Sequence, residues 1–266
     1  MATPDWQAID IYDHEATEHY CAFLDILGYK KKSEEYFSGS YNLYGRFRRA
    51  LSHAIEVQKI SSLLWDVSGL DVKFFSDSVI LTIPKDKSTD GGLIGLLHFC
   101  RVLSAHLSFE GLFLRGGISE GLHKDVVDNE YGFSFTSSVA LQRAYVLDST
   151  KAIFPRIVID SSIIESLIGG GEDYVIKDGR EFVLHFAPQL INRDGGNEDI
   201  ILAEMQEIYE KKMRETDAGV IAKHEWVLDY YYWTLTQSGC KRIDRFEKFI
   251  TRDIRRFRRF SLLNVN

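Results

Sequence analysis

Two aspartates stand in apolar surroundings, where an ionised side chain is costly. Asp25 lies inside the apolar run from Tyr20 to Leu27, and Asp77 lies between two apolar runs with only serines beside it. A buried carboxylate is unfavourable unless a cation or hydrogen bonds compensate its charge. Paired carboxylates that hold Mg²⁺ or Mn²⁺ recur in nucleotide phosphate chemistry, because the ions neutralise the phosphates and polarise the attacked phosphorus. The pair therefore indicates metal-dependent phosphate chemistry, although a single Asp more commonly caps a strand end or a turn.

Strands and turns are predicted to position these aspartates. The run from Tyr20 to Leu27, bounded by Gly28, is typical of a buried strand. Lys73 to Ile83 predicts a hairpin hinged at Ser76-Asp77-Ser78. The other predicted elements are helices over Tyr41 to Leu64, Leu93 to Leu107, Ser137 to Leu147 and Ile163 to Ile168, strands over Leu112 to Ser119 and Arg156 to Ile159, and a hairpin over Tyr174 to Lys177 and Glu181 to Phe186.

The order of these elements predicts an α+β domain with helices on one face of its sheet, followed by a helical extension. The segment INRDGGNED, which starts at Ile191, is predicted to be a linker. We therefore expect an N-terminal extension over residues 1–17, a sheet domain over 18–190 and a helical extension over 191–266.

Composition limits the class of protein. The 266 residues carry a net charge of −7, with 45% hydrophobic and 13% aromatic side chains, which excludes a disordered, collagen-like or disulfide-scaffold chain. The three cysteines, which form no CxxC pair, suit a reducing compartment and argue against a structural zinc site. The opening residues lack a signal-peptide pattern, and the longest apolar stretch, Leu93 to Cys100, is too short for a bilayer. We expect a cytoplasmic protein that does not bind a membrane.

The last 26 residues differ in charge from the rest of the chain. Residues 241–266 hold nine basic and three acidic side chains, a net charge of +6, so the other 240 residues carry −13. Such a segment could bind nucleic acid, but its apolar residues recur at three and four positions. The spacing favours an amphipathic helix docked on the body of the protein. The apolar residues concerned are Ile243, Phe246, Ile250, Ile254 and Phe257.

Three motifs, in this order, resemble those of class III nucleotidyl cyclases. Phe23 to Tyr29 is similar to the F-x-D-I-x-G-F segment of that family's first strand. Lys73 to Asp77 resembles the K-x-x-G-D hairpin, with Ser76 in the glycine position, and Leu114 to Gly121 resembles the R-x-G-I-x-x-G strand. The resemblance spans roughly residues 18 to 188 and implies a ferredoxin-type antiparallel sheet of the class III cyclase kind.

The resemblance also implies a reaction and its site. In the family, active sites form across a head-to-tail homodimer, two aspartates bind two divalent metals, and the substrate's 3′-hydroxyl attacks the α-phosphate to release pyrophosphate. Asp25, Asp77 and the Ile26 carbonyl would hold Mn²⁺ or Mg²⁺. Lys177 matches a lysine that grips the terminal phosphate, with a solvated turn lysine as the alternative. The backbone expected to wrap the triphosphate is that of Leu27, Gly28 and Tyr29.

The base-reading positions depart from the purine-specific pattern. Lys73 occupies the first such position, but Phe133 falls where adenine-specific members carry an Asp, so the acceptor for the adenine amino group is missing. Ala140 and Ala144 fall on the transition-state Asn and Arg of the family. Arg143, one residue away, is the candidate replacement.

These departures favour a smaller base. A donor at Lys73 suits uracil O4 or cytosine N3, and Phe133, Phe74 or Tyr44 would fill a pocket made for a pyrimidine. Together with Phe154 to Asp160 after the helix, the chain looks most like the bacterial antiphage (Pycsar) cyclases, which make cyclic UMP or cyclic CMP to trigger an effector. We expect UTP, then CTP, as substrate. The alternatives are an adenylate or guanylate cyclase and a degenerate domain that only binds a nucleotide.

Overall fold

The computed structural model describes residues 15–61, 69–85, 91–167, 171–192, 198–251 and 253–261. The strands are β1 (Thr17–Ile26), β2 (Asp71–Phe75), β3 (Ser78–Pro84), β4 (Leu114–Asp128), β5 (Phe133–Ser138), β6 (Ile157–Ile159), β7 (Val175–Asp178), β8 (Glu181–Leu184) and β9 (Phe257–Arg259). The α-helices are α1 (Tyr29–Phe37), α2 (Leu43–Ser61), α3 (Gly91–Phe109), α4 (Val139–Lys151), α5 (Pro188–Asn192), α6 (Asp199–Arg214) and α7 (Ala218–Ser238). Short 3₁₀ helices span Ser161–Leu167, Glu172–Tyr174, Ile243–Phe249 and Asp253–Arg256.

The strands form one sheet in the order β2-β3-β1-β4-β6-β8-β7-β9, with β5 paired to β4 alone. Neighbouring strands run antiparallel except β4 and β6, which run parallel. The predicted α+β class with a largely antiparallel sheet is confirmed. Helices cover both faces of the sheet, so the prediction of helices on one face is wrong. Helices α2 and α3 pack on one face, where Leu24, Leu81 and Leu97 are fully buried, while α4 and α7 cover parts of the other face.

Strand β1 has two unlike faces because its side chains alternate. Tyr20, Ala22 and Leu24 are buried beneath α2 and α3, whereas Phe23 and Asp25 are only partly buried on the opposite face. Helix α4 crosses that second face at Gly117 of β4. A Cβ atom at Gly117 would lie 2.2 Å from the Ala144 carbonyl oxygen, so only glycine admits the helix at this distance.

Helix α3 forms the centre of the core. It is the one described helix that is long and apolar enough to suit a membrane span, but 78% of that window is buried inside the protein. Buried core helices have the same composition as membrane spans. Packing against the sheet and α2 therefore accounts for its hydropathy.

The C-terminal segment docks as predicted, but it is not a helix. It forms the 3₁₀ turns Ile243–Phe249 and Asp253–Arg256 and then β9, which pairs with β7 at the sheet edge. The chain is extended at Ile250 between the two turns, so the helical periodicity is broken. Its apolar residues Ile243, Phe249 and Phe257 are buried in the core that α6 and α7 share with the sheet. The predicted boundary at residue 190 stays a prediction, and its linker residues 193–197 lie outside the described ranges.

Several other element predictions need correction. The strand predicted to stop at Ser119 continues to Asp128 and returns as β5. Consequently α4 begins at Val139 and not at Ser137, and Ser138 caps it by accepting a hydrogen bond from the Leu141 amide at 3.0 Å. The sequence reasoning also missed α1, which buries none of its residues.

Candidate functional site

The two predicted metal aspartates meet at one end of the central strands. Asp25 of β1 pairs in register with Ser78, the first residue of β3, and the Ile26 amide donates to the Asp77 carbonyl at 3.0 Å. Burial raises the pKa of Asp25, the Arg115 guanidinium opposes this rise, and the neighbouring Asp77 carboxylate adds to it. The hairpin turn therefore brings two carboxylates together in partly buried surroundings, which favours a cation.

The backbone after Ile26 can receive phosphate oxygens. Gly28 has φ 71 and lies at the N-cap of α1, where no side chain caps the helix and a Cβ atom would have nothing within 4 Å. The amides of the first helical turn point out of the helix and favour an anion. The Leu27 amide is already used, since it donates to the Phe113 carbonyl at 2.9 Å. Three residues are predicted to bind phosphate through their backbone. Gly28 and Tyr29 lie at the N-terminus of α1, whereas the amide of Leu27 is already hydrogen-bonded.

Arg115 is a site residue that the sequence reasoning did not single out. It pairs in register with Asp25, and its Nε donates to Asp25 Oδ2 at 2.8 Å. The same Nε lies 3.5 Å from Oδ1 of Asp148 on α4, a carboxylate that is 3% exposed. Burial raises the pKa of Asp148 to about 6, although Arg115 opposes the rise. Arg115 is the arginine of the quoted R-x-G motif, so the signal was present.

Lys73 lies on the same sheet face as Asp25, in the row of Ile80 and Phe23. Its Nζ contacts Asp125 Oδ2 at 2.6 Å and Thr136 Oγ1 at 3.2 Å, so the β4–β5 hairpin reaches over to β2. The sequence reasoning missed both of these partners.

Asp125 is held ionised by its neighbours. Besides Lys73, it is hydrogen-bonded by Thr136 and by His123 Nε2, the latter at 2.9 Å. Burial favours the neutral acid, but the hydrogen bonds from Lys73, Thr136 and His123 outweigh it and lower the pKa of Asp125 to about 2. An acceptor therefore stands beside the Lys73 donor, at a position that the motif comparison did not reach.

The aromatic residues expected around the base do not surround Lys73. Phe74 follows Lys73 in β2 and points to the opposite face, where it lines a cavity of 230 Å³ with Tyr44, Phe47 and Asp77. Phe133 is 53% exposed near the tip of the β4–β5 hairpin, where it pairs with Asp128. It lies three residues from Thr136, so it faces the other side of β5.

Two predicted residues lie apart from the aspartates within one chain. Arg143 is exposed on α4 and donates to the Glu120 carbonyl at 3.0 Å. Glu120 pairs with Tyr20, which is five residues along β1 from Asp25, or roughly 17 Å. Lys177 lies on β7, with β4, β6 and β8 between it and β1, and its Nζ is 5.1 Å from the centre of the Phe182 ring.

The carboxylate pair fits a metal ion that is shared with a substrate. Among the residues that the structure describes, no three His, Cys, Asp or Glu side chains are grouped to hold a metal. Two carboxylates and the Ile26 carbonyl would leave the other ligand positions to water and phosphate oxygens. Mg²⁺ is commonly bound in this way in enzymes that act on nucleoside triphosphates.

No family model and no curated protein matches the chain. Among solved structures, it is similar to the adenylyl cyclase CyaB from P. aeruginosa at 14% identity and TM-score 0.45, over 64% of this chain and 95% of that one. A bacterial light-regulated adenylyl cyclase gives 12% identity and TM-score 0.42, over 65% and 93% of the two chains. The guanylyl cyclase domain of the RhoGC fusion protein from Blastocladiella emersonii gives 13% identity and TM-score 0.38, over 58% of this chain and 85% of that one. At these values the likeness is distant, and the function rests on the residues of this chain.

Proposed function

We propose that this chain is a metal-dependent nucleotidyl cyclase of the class III type, which converts UTP, or less readily CTP, to the 3′,5′-cyclic monophosphate and pyrophosphate. The observation that carries the proposal is the meeting of Asp25 and Asp77 beside the uncapped N-terminus of α1. The product would act in the cytoplasm as a messenger for a cyclic-nucleotide-activated effector in antiphage defence. That biological role rests on the motif resemblance alone.

The chemistry asks the protein mainly for positioning and charge neutralisation. Divalent ions, when bound, polarise the α-phosphorus and neutralise the leaving pyrophosphate. Asp25, Asp77 and the Ile26 carbonyl would hold the ions, and the first-turn amides of α1 would bind phosphate oxygens. The bond from O3′ to the α-phosphorus forms, the bond from that phosphorus to the bridging oxygen breaks, and the hydroxyl proton passes to water.

Lys73 and Asp125 form a donor and acceptor pair that suits a pyrimidine edge. Uracil O4 would accept from Lys73 while uracil N3–H donates to Asp125, and cytosine N3 and N4 offer the same sequence of acceptor and donor. The adenine edge offers it too, so an adenylate cyclase remains the enzymatic alternative. The preference for a pyrimidine then rests on the motif resemblance, in which Phe133 stands where adenine-specific members carry an Asp, and contact of Phe133 with the base stays a prediction.

A second copy of the chain would complete the site. Arg143 and Lys177 lie too far from Asp25 to act on the same phosphate within one chain, which supports the head-to-tail homodimer. The apolar side chains at the tip of the β4–β5 hairpin supply a surface for it. Those exposed at this hairpin are Leu122, Val127, Tyr131, Phe133 and Phe135.

The first test is product formation. The purified chain is incubated with Mn²⁺ and each of the four ribonucleoside triphosphates, and the products are identified by mass. We expect cyclic UMP or cyclic CMP, its loss in Asp25→Asn and Asp77→Asn, and its retention in Asp173→Asn, which removes an exposed carboxylate elsewhere. Cyclic AMP or GMP would keep the cyclase and refute the pyrimidine proposal.

The non-enzymatic alternative has one observation in its favour. Ala140 and Ala144 lie on the buried face of α4 and have no exposed surface, so neither position can offer a side chain to a substrate. A degenerate domain would bind UTP, as followed by calorimetry, without forming any product. That outcome would refute catalysis while keeping the nucleotide site.

The dimeric site has its own test, which mixes two variants. Asp77→Asn damages the metal side of each site and Arg143→Ala the side expected from the second chain. Half of the dimers in an equal mixture are heterodimers with one intact site of two, so about a quarter of wild-type activity should return. An Arg143→Ala variant with full activity would remove Arg143 from the mechanism, and a mixture without any recovery would refute the shared site.

A further inference from the structure

Arg115 lies between two carboxylates and is satisfied by only one of them. Its Nε donates to Asp25 Oδ2 at 2.8 Å but lies 3.5 Å from Asp148 Oδ1. Among the described residues, Asp148 Oδ1 has no hydrogen-bond partner, although the side chain is 3% exposed. Buried carboxylate oxygens are nearly always hydrogen-bonded. Asp148 therefore has an unused acceptor directed at a cation that is engaged elsewhere.

The guanidinium and a divalent ion compete for the same carboxylate. A metal ion held by Asp25 and Asp77 would share the Asp25 carboxylate with Arg115, and the two positive charges would repel each other. Metal binding would therefore weaken the hydrogen bond from Arg115 to Asp25. The Arg115 side chain is 31% exposed, so water solvates the displaced charge only in part. Asp148 Oδ1, which has no hydrogen-bond partner among the described residues, lies 3.5 Å away and is placed to accept a hydrogen bond from it.

We propose that Asp148 is a positioning residue, which receives the Arg115 guanidinium when Asp25 exchanges it for a divalent cation. The inference rests on the proposed metal site at Asp25 and Asp77. Asp148 lies on α4, which crosses the sheet face that carries Asp25 and Arg115, and it would act through Arg115 without contacting the metal or the substrate itself. Without Asp148, the carboxylates that remain beside Arg115 among the described residues are those of the proposed metal site, Asp25 and Asp77, so the arginine opposes metal binding.

The test measures binding of Mn²⁺ alone to the full chain, through the electron paramagnetic resonance signal of the free ion. We expect Asp148→Asn to raise the Kd about tenfold, as expected for one partly buried ion pair. Asp148→Glu should stay within about twofold of wild type because it keeps the carboxylate. Arg115→Gln should bind Mn²⁺ at least as tightly as wild type, since the competitor is gone, and Asp173→Asn serves as the exposed control.

The double variant Asp148→Asn/Arg115→Gln separates positioning from general electrostatics. If Asp148 acts through Arg115, then Asp148→Asn changes the Kd by less than about twofold in the Arg115→Gln background. Equal weakening in both backgrounds, or an unchanged Kd in Asp148→Asn, would overturn the inference. Should Asp148→Asn fail to fold, weaker Mn²⁺ binding by Arg115→Gln would overturn it as well. If wild type binds Mn²⁺ no better than Asp25→Asn, the metal site itself has failed, and the inference fails with it.

Discussion

Replacing Asp178 by Asn should strongly destabilise the fold. The Asp178 side chain on β7 has no exposed surface and accepts hydrogen bonds from Arg156, Arg256 and, at 2.9 Å, Trp226 Nε1. Asn keeps one acceptor but loses the charge and turns an amide group toward two guanidinium groups. Each hydrogen bond to a charged group contributes about 1.5 to 3 kcal/mol. Because Arg256 is 25% exposed and can recover water, we expect the free energy of unfolding to fall by about 3 to 5 kcal/mol.

A matched control exists on the same arginine. Asp253 contacts Arg256 at 3.7 Å but is 66% exposed, so Asp253→Asn should change the free energy of unfolding by less than about 1 kcal/mol. Urea unfolding followed by circular dichroism measures both variants under one set of conditions. Asp178 connects β6, α7 and the turn before β9, so the loss should loosen the C-terminal extension first. A value for Asp178→Asn within about 1 kcal/mol of wild type would refute the reasoning, because the buried pairs would then contribute no more than surface ones.

Three further outcomes follow from buried groups and close packing. Burial lowers the pKa of His185 to about 3. Its neutral form therefore supports the fold fully above pH 6.5, and the free energy of unfolding falls between pH 6.5 and 3, by about 1 to 2 kcal/mol at pH 5. In urea unfolding at pH 7 and pH 5, His185→Gln should lose less of this free energy than wild type. Burial raises the pKa of Glu204 to about 8. The contribution of its neutral form to the free energy of unfolding is therefore full below pH 4.5 and is lost as the pH rises to 8. In the same assay, Glu204→Gln should be more stable than wild type at pH 8 but not at pH 4.5. Gly117→Ala places a Cβ atom 2.2 Å from the Ala144 carbonyl oxygen, and a loss of about 2 kcal/mol or more in thermal unfolding is expected because α4 must move.

The parts of the fold that the sequence predicts are those with a strong local signal. Strand β1 is an apolar run, and the β2–β3 hairpin is two apolar runs around a polar turn, so both elements and their aspartates are found where expected. Helix α1 is short, mostly polar and buries no residue, so it offers no apolar run by which to predict it. Strand β5 is almost entirely exposed, so neither its length nor its start is visible in the hydrophobic pattern. The C-terminal segment shows the opposite error, since helical spacing of apolar residues is also compatible with 3₁₀ turns and a strand that dock the same side chains.

In the candidate site too, residues marked by a local sequence pattern are predictable, and residues brought in by tertiary packing are not. Each aspartate is marked by a local pattern, Asp25 by an apolar strand and Asp77 by a hairpin turn, and the pairing of β1 with β3 brings the two together. The partners that decide their chemistry come from distant parts of the chain. Arg115 depends on the register between β1 and β4, Asp148 on the close approach of α4 that Gly117 permits, and Asp125 on a hairpin that reaches across to β2. No spacing within the sequence encodes these three contacts.

The charge balance of the site shows why those distant partners matter. Asp25 and Asp77 alone would carry a charge of −2, which a single divalent ion neutralises. Arg115 removes one of those charges and Asp148 restores it, so the cluster returns to −2 in its ionised form. A site with Arg115 but without Asp148 would keep both metal-binding carboxylates, Asp25 and Asp77, but its net charge would be less negative. It would therefore attract a divalent ion less strongly. At the proposed metal site, the buried carboxylate on α4 would therefore preserve the negative charge that the arginine would otherwise cancel, and the arginine would stay available to an anionic substrate.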